Sequence, residues 1–320
     1  MLAFTAREDN EVEKTAAQNL LRALIETDSG VSVRQMAEAD LERILELRSI
    51  VRWSADPRAF DLLRGVRDAR WAVADAPDGD LAGMVGAVPL GNIGVLCHLA
   101  VHDGYRGLGL GALLSSWAVG YLRSRGAKTI RLYSTLRAED LYRSLGFEEV
   151  TPRTVYRIEE GLWRLRVPDQ VNGHRVETLT FGDLPELYGV DRWSYGADRS
   201  ALLFATLRLH PGRGLVARDS TGLIKGYLIR SASGNATHIG PFLASTPEVA
   251  RLLLTRTLSA TGGTPVQVTV SGPAGCQAHS LLQECGFEGT EDRMRMELGE
   301  KTTASRTGLV HYGTTPYLAT

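Results

Sequence analysis

Cysteine is scarce: Cys97, Cys276 and Cys285 are the whole set in 320 residues. An odd and scattered trio builds no disulfide framework, and no pair has metal-ligand spacing, which argues against a stapled secreted scaffold and a zinc module. Long apolar runs are missing too. No stretch of about 18 apolar residues occurs, so no membrane-spanning helix is expected. The start lacks the basic and apolar pattern of an export signal, because Glu8, Asp9, Glu11 and Glu13 interrupt it. Charge of one sign is also absent. Thirty-six basic residues face 37 acidic ones, a net charge of −1, which leaves no footprint for nucleic acid or for an anionic membrane. A soluble cytoplasmic protein with neither as a partner is the expectation.

The most informative segment present is Arg106-Gly107-Leu108-Gly109-Leu110-Gly111-Ala112. It ends the apolar run Ile93–Val101 and opens a helical stretch through Ser124. Successive N–H groups in such a loop, at a helix start, offer a site for phosphate oxygens; glycine lets the ligand approach the main chain. Arg106 adds positive charge at its mouth. The loop also meets the looser dinucleotide pattern G-x-G-x-x-A, but that reading needs an acid closing the next strand, and Thr129–Thr135 carries none. No Gly-Lys-Ser/Thr follows, so it is not a P-loop.

The chain also repeats itself. Arg52-Trp53-Ser54 recurs as Arg192-Trp193-Ser194 and Gly146-Phe147 as Gly286-Phe287, both 140 positions on. Asp40-Leu41 corresponds to Asp183-Leu184. A period near 140 is a duplicated domain rather than a solenoid unit of roughly 20–50 residues. The first copy reads as strand Val31–Arg34, helix Asp40–Ile50, strands Arg70–Asp75, Leu81–Pro89 and Ile93–Val101, then helix Gly111–Arg125. Strand Thr129–Ser134, helix Ala138–Leu145 and strand Val150–Ile158 complete it. The expected division is a helical extension at 1–30, a first domain at 31–158, a linker at 159–172, a second domain at 173–298 and a C-terminal tail at 299–320, rich in Thr, Ser and Gly, to which no element is assigned. The extension, with Val12, Ala16, Leu20 and Leu24 at helical spacing, is expected to dock on its own protein, with a homodimer contact as the alternative.

Together with Leu141-Tyr142-Arg143-Ser144-Leu145-Gly146-Phe147, the loop resembles the GCN5-related N-acetyltransferase (GNAT) family. The resemblance implies an α/β (α+β) fold of two tandem domains, each a mixed, mostly antiparallel sheet flanked by helices. It implies acetyl-CoA as cofactor, its pyrophosphate held by Arg106, Gly107, Leu108, Gly109, Leu110, Gly111 and Ala112. Leu99, Ala100 and Val101 would pair with the pantetheine amides. The Leu99 main-chain N–H would serve the thioester oxygen, and Tyr142 would give a proton to the leaving thiolate. Thr135 stands where many members carry Asn near the CoA. Segment Arg52–Phe60 and strand Thr154–Arg157 would shape the acceptor pocket. By strand alternation Val95, Cys97 and Leu99 face the acceptor and none is a base, whereas His98 should point away as a core or supporting histidine. His98 and His102 lack a third ligand, so no metal site is expected.

The second copy reads Ser245-Thr246-Pro247-Glu248 at the loop position, Leu282 at the place of Tyr142 and Gly275 at that of Thr135. It should fold alike without gripping a diphosphate. The resulting expectation is an acetyl-CoA-dependent N-acetyltransferase acting on the primary amine of a small molecule through the N-terminal domain. The alternatives are a protein N-terminal or lysine acetyltransferase and a non-catalytic acyl-CoA sensor or scaffold.

Overall fold

The computed structural model describes residues 25–26, 30–53, 57–159, 173–301 and 309–315, apart from Gly234, Gly262 and Ala274. The helix expected in 1–30 and nearly all of the expected linker lie outside the described residues.

Strands β1 to β7 are Ile25–Glu26, Ser32–Gln35, Arg70–Asp75, Leu81–Leu90, Ile93–Val101, Thr129–Ser134 and Glu148–Ile158. Strands β8 to β14 are Arg175–Thr178, Gly214–Arg218, Ile224–Ser233, Ala236–Ala244, Val266–Ser271, Glu288–Gly299 and Val310–Gly313. Those ranges follow the apolar runs closely, because a strand buried on both faces reads as nearly continuous hydrophobicity. All of them join one mixed, mostly antiparallel sheet in the order β1-β2-β3-β4-β5-β6-β13-β7-β12-β11-β10-β9-β8, with β14 paired to β11.

In the first half, α1 (Leu41–Ile50) and α2 (Pro57–Arg64) cover one face, where Ile44, Leu47, Phe60 and Leu63 meet Trp71, Met84, Val95 and Cys97. Helix α3 (Leu110–Ser124) covers the other, burying Leu110, Leu114, Trp117, Ala118, Tyr121 and Leu122. That spacing is one stripe of a 3.6-residue helix. Gly126, at φ +89°, follows its C-terminus. Helix α4 (Glu139–Ser144) follows β6. The second half repeats the plan with α5 (Leu184–Tyr195), α6 (Ser200–Leu209), α7 (Pro247–Leu258) and α8 (Gln277–Glu284).

The two halves exchange their last strands. β13, from the second half, lies between β6 and β7, with Met296 opposite Leu132 and Leu298 opposite Ile130. Met296 is fully buried in the α3-side core, flanked by Met294 and Leu298. β7, from the first half, pairs with β12, and its Tyr156 and Ile158 fill the second half's core beside Val266 and Val268. Burying one such side chain contributes about 2 kcal/mol, so each half depends on the other for several of them. The α1–α2 core also takes in Ala197, Leu202 and Ala205 from the second half.

One segment departs from the sequence reading. The tail, to which the sequence assigns no element, contains β14, whose Tyr312 is fully buried.

Candidate active site

β5 and β6 run parallel and paired only from Ile93–Thr129 to Val95–Arg131, after which they separate. A bulge sets this up. β4 pairs Met84 with Ala100 and Gly86 with Cys97, so Val85 alone opposes both His98 and Leu99. His98 takes the left-handed value φ +54° that lets the extra residue fit. The bulge flips the alternation: Cys97 and Ala100 pack on the α1–α2 face, while Leu99 and Val101 turn to the α3 face. His98 therefore does not point away as alternation predicts. Its ring, 3% exposed, sits among Trp53, Phe60 and Trp71 on the α1–α2 side. The expectation that Leu99 faces the acceptor by side-chain parity fails for the same reason, although its main chain still lines the gap.

The gap opens into a cavity of about 460 Å³ lined by Leu99, Ala100, Val101, the loop from Arg106 to Ala112 except Leu108, and Thr135. Val51 and Trp53 close one side. Leu108 points its side chain into solvent, 56% exposed. Gly107 and Gly109 have φ of +80° and +76°, and a Cβ at either would meet nothing within 4 Å, so the demand is conformational and the loop surface is open. The first N–H groups of α3 have no partner within the helix, and its first turn carries no acid. These features fit a diphosphate with a long amide-bearing arm. Arg106 is already paired to Asp103 at 2.7 Å, so its charge at the mouth is partly offset.

At its inner end the cleft shares Trp53, Leu99, Thr135 and Ala138 with a smaller cavity of about 80 Å³, reached by Cys97, His98, Tyr133, Ser134, Tyr142 and Arg293. Tyr142 is buried, edge-on to Phe147. Burial raises its pKa above the ordinary tyrosine value, Arg293 opposing the shift. Burial also pushes the Cys97 thiol up to about 12 and pulls His98 down to about 3, Arg48 adding to the latter. All three are neutral near pH 7. Trp71 Nε1 donates to His98 Nδ1 at 3.4 Å, which occupies the one acceptor nitrogen of the neutral ring. Thus, among the described residues, no lining side chain offers a free base.

Strand exchange alters the expected acceptor side. Thr154–Arg157 is separated from β6 by β13, and the neighbour that reaches the cavity is Arg293. Sequence reading missed it, since nothing local marks β13 as belonging to the first half's site.

In the second half the equivalent bulge leaves Ile229 against Gly240 and Pro241, putting proline, with no N–H, where Leu99 stands. Helix α7 begins two residues after β11, and Thr246 caps it by accepting from Val249 N at 3.3 Å. Leu282 is fully buried in the core. β11 and β12 also part after Ile239–Val268, but β14 enters the gap. Gly313 pairs with Phe242, His311 with Leu243 and Val310 with Ala244, while Thr314 N donates to Thr269 O at 2.7 Å.

Sequence profiles match both halves. Residues 38–147 match the acetyltransferase (GNAT) family and residues 188–312 the acetyltransferase (GNAT) domain. The chain belongs to the GNAT family as a tandem member. Among solved structures, a Pyrococcus horikoshii protein to which acetyltransferase activity has been ascribed aligns with TM-score 0.73 and 18% identity, over 92% of this chain and 98% of that one. A GCN5-related N-acetyltransferase from Sphaerobacter thermophilus gives 0.64 and 19%, over 88% and 100%. A tandem GNAT protein of the clavulanic acid biosynthesis pathway gives 0.63 and 15%, over 85% and 99%. At these identities the likeness is one of fold. No curated protein sequence matches. No described helix is long and apolar enough to cross a membrane.

Proposed function

We propose that this GNAT protein transfers an acetyl group from acetyl-CoA to the primary amine of a small molecule, using the N-terminal cleft alone. The observation that carries the reading is the contrast between the two gaps: β5 and β6 part into an open cleft, while β14 fills the matching gap between β11 and β12. Acetyl-CoA supplies an activated thioester. The loop from Arg106 to Ala112 would hold its diphosphate, and the Leu99–Val101 main chain would pair with its amide arm. The Leu99 N–H, at the bulge, would meet the oxygen that gains charge. Tyr142 keeps its proton near neutral pH and would pass it to the departing sulfur. With no free base among the described lining side chains, the amine would arrive neutral or lose its proton to water. The second half closes the α1–α2 core near Trp53, which supports a small acceptor over a polypeptide.

Release of free CoA with a panel of amines tests the reading. Gly109→Glu, placing charge and a strained side chain at φ +76°, should weaken CoA binding roughly 100-fold or more in calorimetry. Tyr142→Phe should leave that affinity intact while kcat falls roughly 100-fold. Tight CoA binding with no amine raising CoA release above hydrolysis would leave a sensor rather than an enzyme.

A further inference from the structure

Arg293 reaches the inner cavity from the exchanged strand, sharing it with Leu99, Cys97 and Tyr142. On β13 it alternates with Met294 and Met296, which pack in the α3-side core, so it lies on the α1–α2 face. Arg153 is its register partner on β7, Arg295 stands opposite Tyr133, and Arg131 lies on β6. Among the described residues, Asp292 and Glu297 form ion pairs with this group, and Arg131 and Arg153 are the better partnered arginines. Asp292 accepts from Arg153 Nε at 2.8 Å, and Glu297 accepts from Arg131 Nε at 2.7 Å. Arg293 and Arg295 are left with long ion pairs, 3.7 Å to Asp292 and 3.6 Å to Glu297, beyond hydrogen-bond reach. The buried Arg295 Nε has no hydrogen-bond partner at all among the described residues. Burial, and then the neighbouring arginine, pulls both guanidinium groups below their ordinary pKa, the mark of a charge short of a counter-ion.

A guanidinium that lines the cavity with only a long ion pair among the described residues suits an anion, and its fork matches a planar carboxylate. The cavity is too small to place that anion far from the amine. We propose that the acceptor is an amine bearing a nearby carboxylate, as an α-amino acid does, and that Arg293 binds the carboxylate. The proposal rests on the acetyl-transfer reading above and names its acceptor class.

CoA release by the full-length chain, with acetyl-CoA, is compared for α-amino acids, their carboxamides and their decarboxylated amines. The amino acids should lead in kcat/KM by roughly tenfold or more. Arg293→Gln should raise their KM roughly 10- to 100-fold, well beyond any change in KM for the uncharged amines, and spare acetyl-CoA affinity in calorimetry. Arg293→Lys should recover part of the loss and guards against a folding defect in the Gln variant. Equal use of acids and amides by the natural chain overturns the proposal. So does an Arg293→Gln loss of kcat common to all amines, which would place the arginine's effect on Tyr142. An effect seen only when succinyl-CoA replaces acetyl-CoA would put the carboxylate on the donor and also overturn it. Retained CoA binding with no turnover of any amine brings down the acetyl-transfer reading first, and the proposal with it.

Discussion

At the scale of the residue, His98 decides the geometry of the cleft. A non-glycine residue at φ +54° is strained, and asparagine tolerates that region better than a β-branched side chain does. His98→Asn should therefore fold, whereas His98→Val should cost about 1–3 kcal/mol more in urea denaturation. The pH dependence has a fixed sign. The unfolded chain protonates this ring near pH 6.5, but the folded one resists until about 3. The stabilising effect of its neutral burial is thus complete above pH 6.5. It is lost as pH falls toward 3, by about 1.4 kcal/mol per pH unit. His98→Asn should flatten that slope in denaturation midpoints taken between pH 7 and 5. The sequence could not foretell the ring's direction: alternation holds along β5 only as far as Cys97, and a bulge has no signature in Ile93–Val101.

At the scale of the element, the two halves differ most in how their gaps are used. Between β5 and α3 a glycine loop of eight residues crosses the cleft mouth; between β11 and α7 there are two residues, Ser245 and Thr246. The loop and its successor were legible in the sequence because glycine spacing and an apolar run are local signals. β14 was not. Four residues, Val310-His311-Tyr312-Gly313, carry no usable period, and their partners on β11 lie some 70 positions earlier in the chain. Tyr312 nevertheless packs tilted against Phe242, ring centroids 5.3 Å apart, and donates to Gln277 Oε1 at 3.1 Å. Tyr312→Ala should destabilise the chain by about 3–5 kcal/mol in chemical denaturation. Acetyl-CoA affinity measured by calorimetry should stay within twofold or so if the N-terminal cleft is the binding site.

At the scale of the whole molecule, the exchange of β7 and β13 makes the sequence halves poor descriptions of the packed units. The repeat spacing near 140 revealed the duplication, since Gly-Phe and Arg-Trp-Ser recur locally. It could not say which copy's last strand completes which sheet. Equivalent strands of a duplicated domain carry similar apolar faces, and pairing across the chain leaves no local mark. A fragment ending at Ile158 lacks Met294, Met296 and Leu298, and leaves the edge of β6 and much of β7 unpaired. We expect it to aggregate or to lack a cooperative thermal transition, where the intact chain shows one. Adding a second polypeptide that carries residues 173–320 during refolding should restore the transition.

Arg131 and Glu297 pair across 166 positions of chain. A ribosome emitting this protein in order exposes β6 long before its partner strand has been synthesised. The first half's core must therefore wait, incomplete and sticky, until β13 has emerged. That interval, rather than the finished fold, is where chaperones would be needed most.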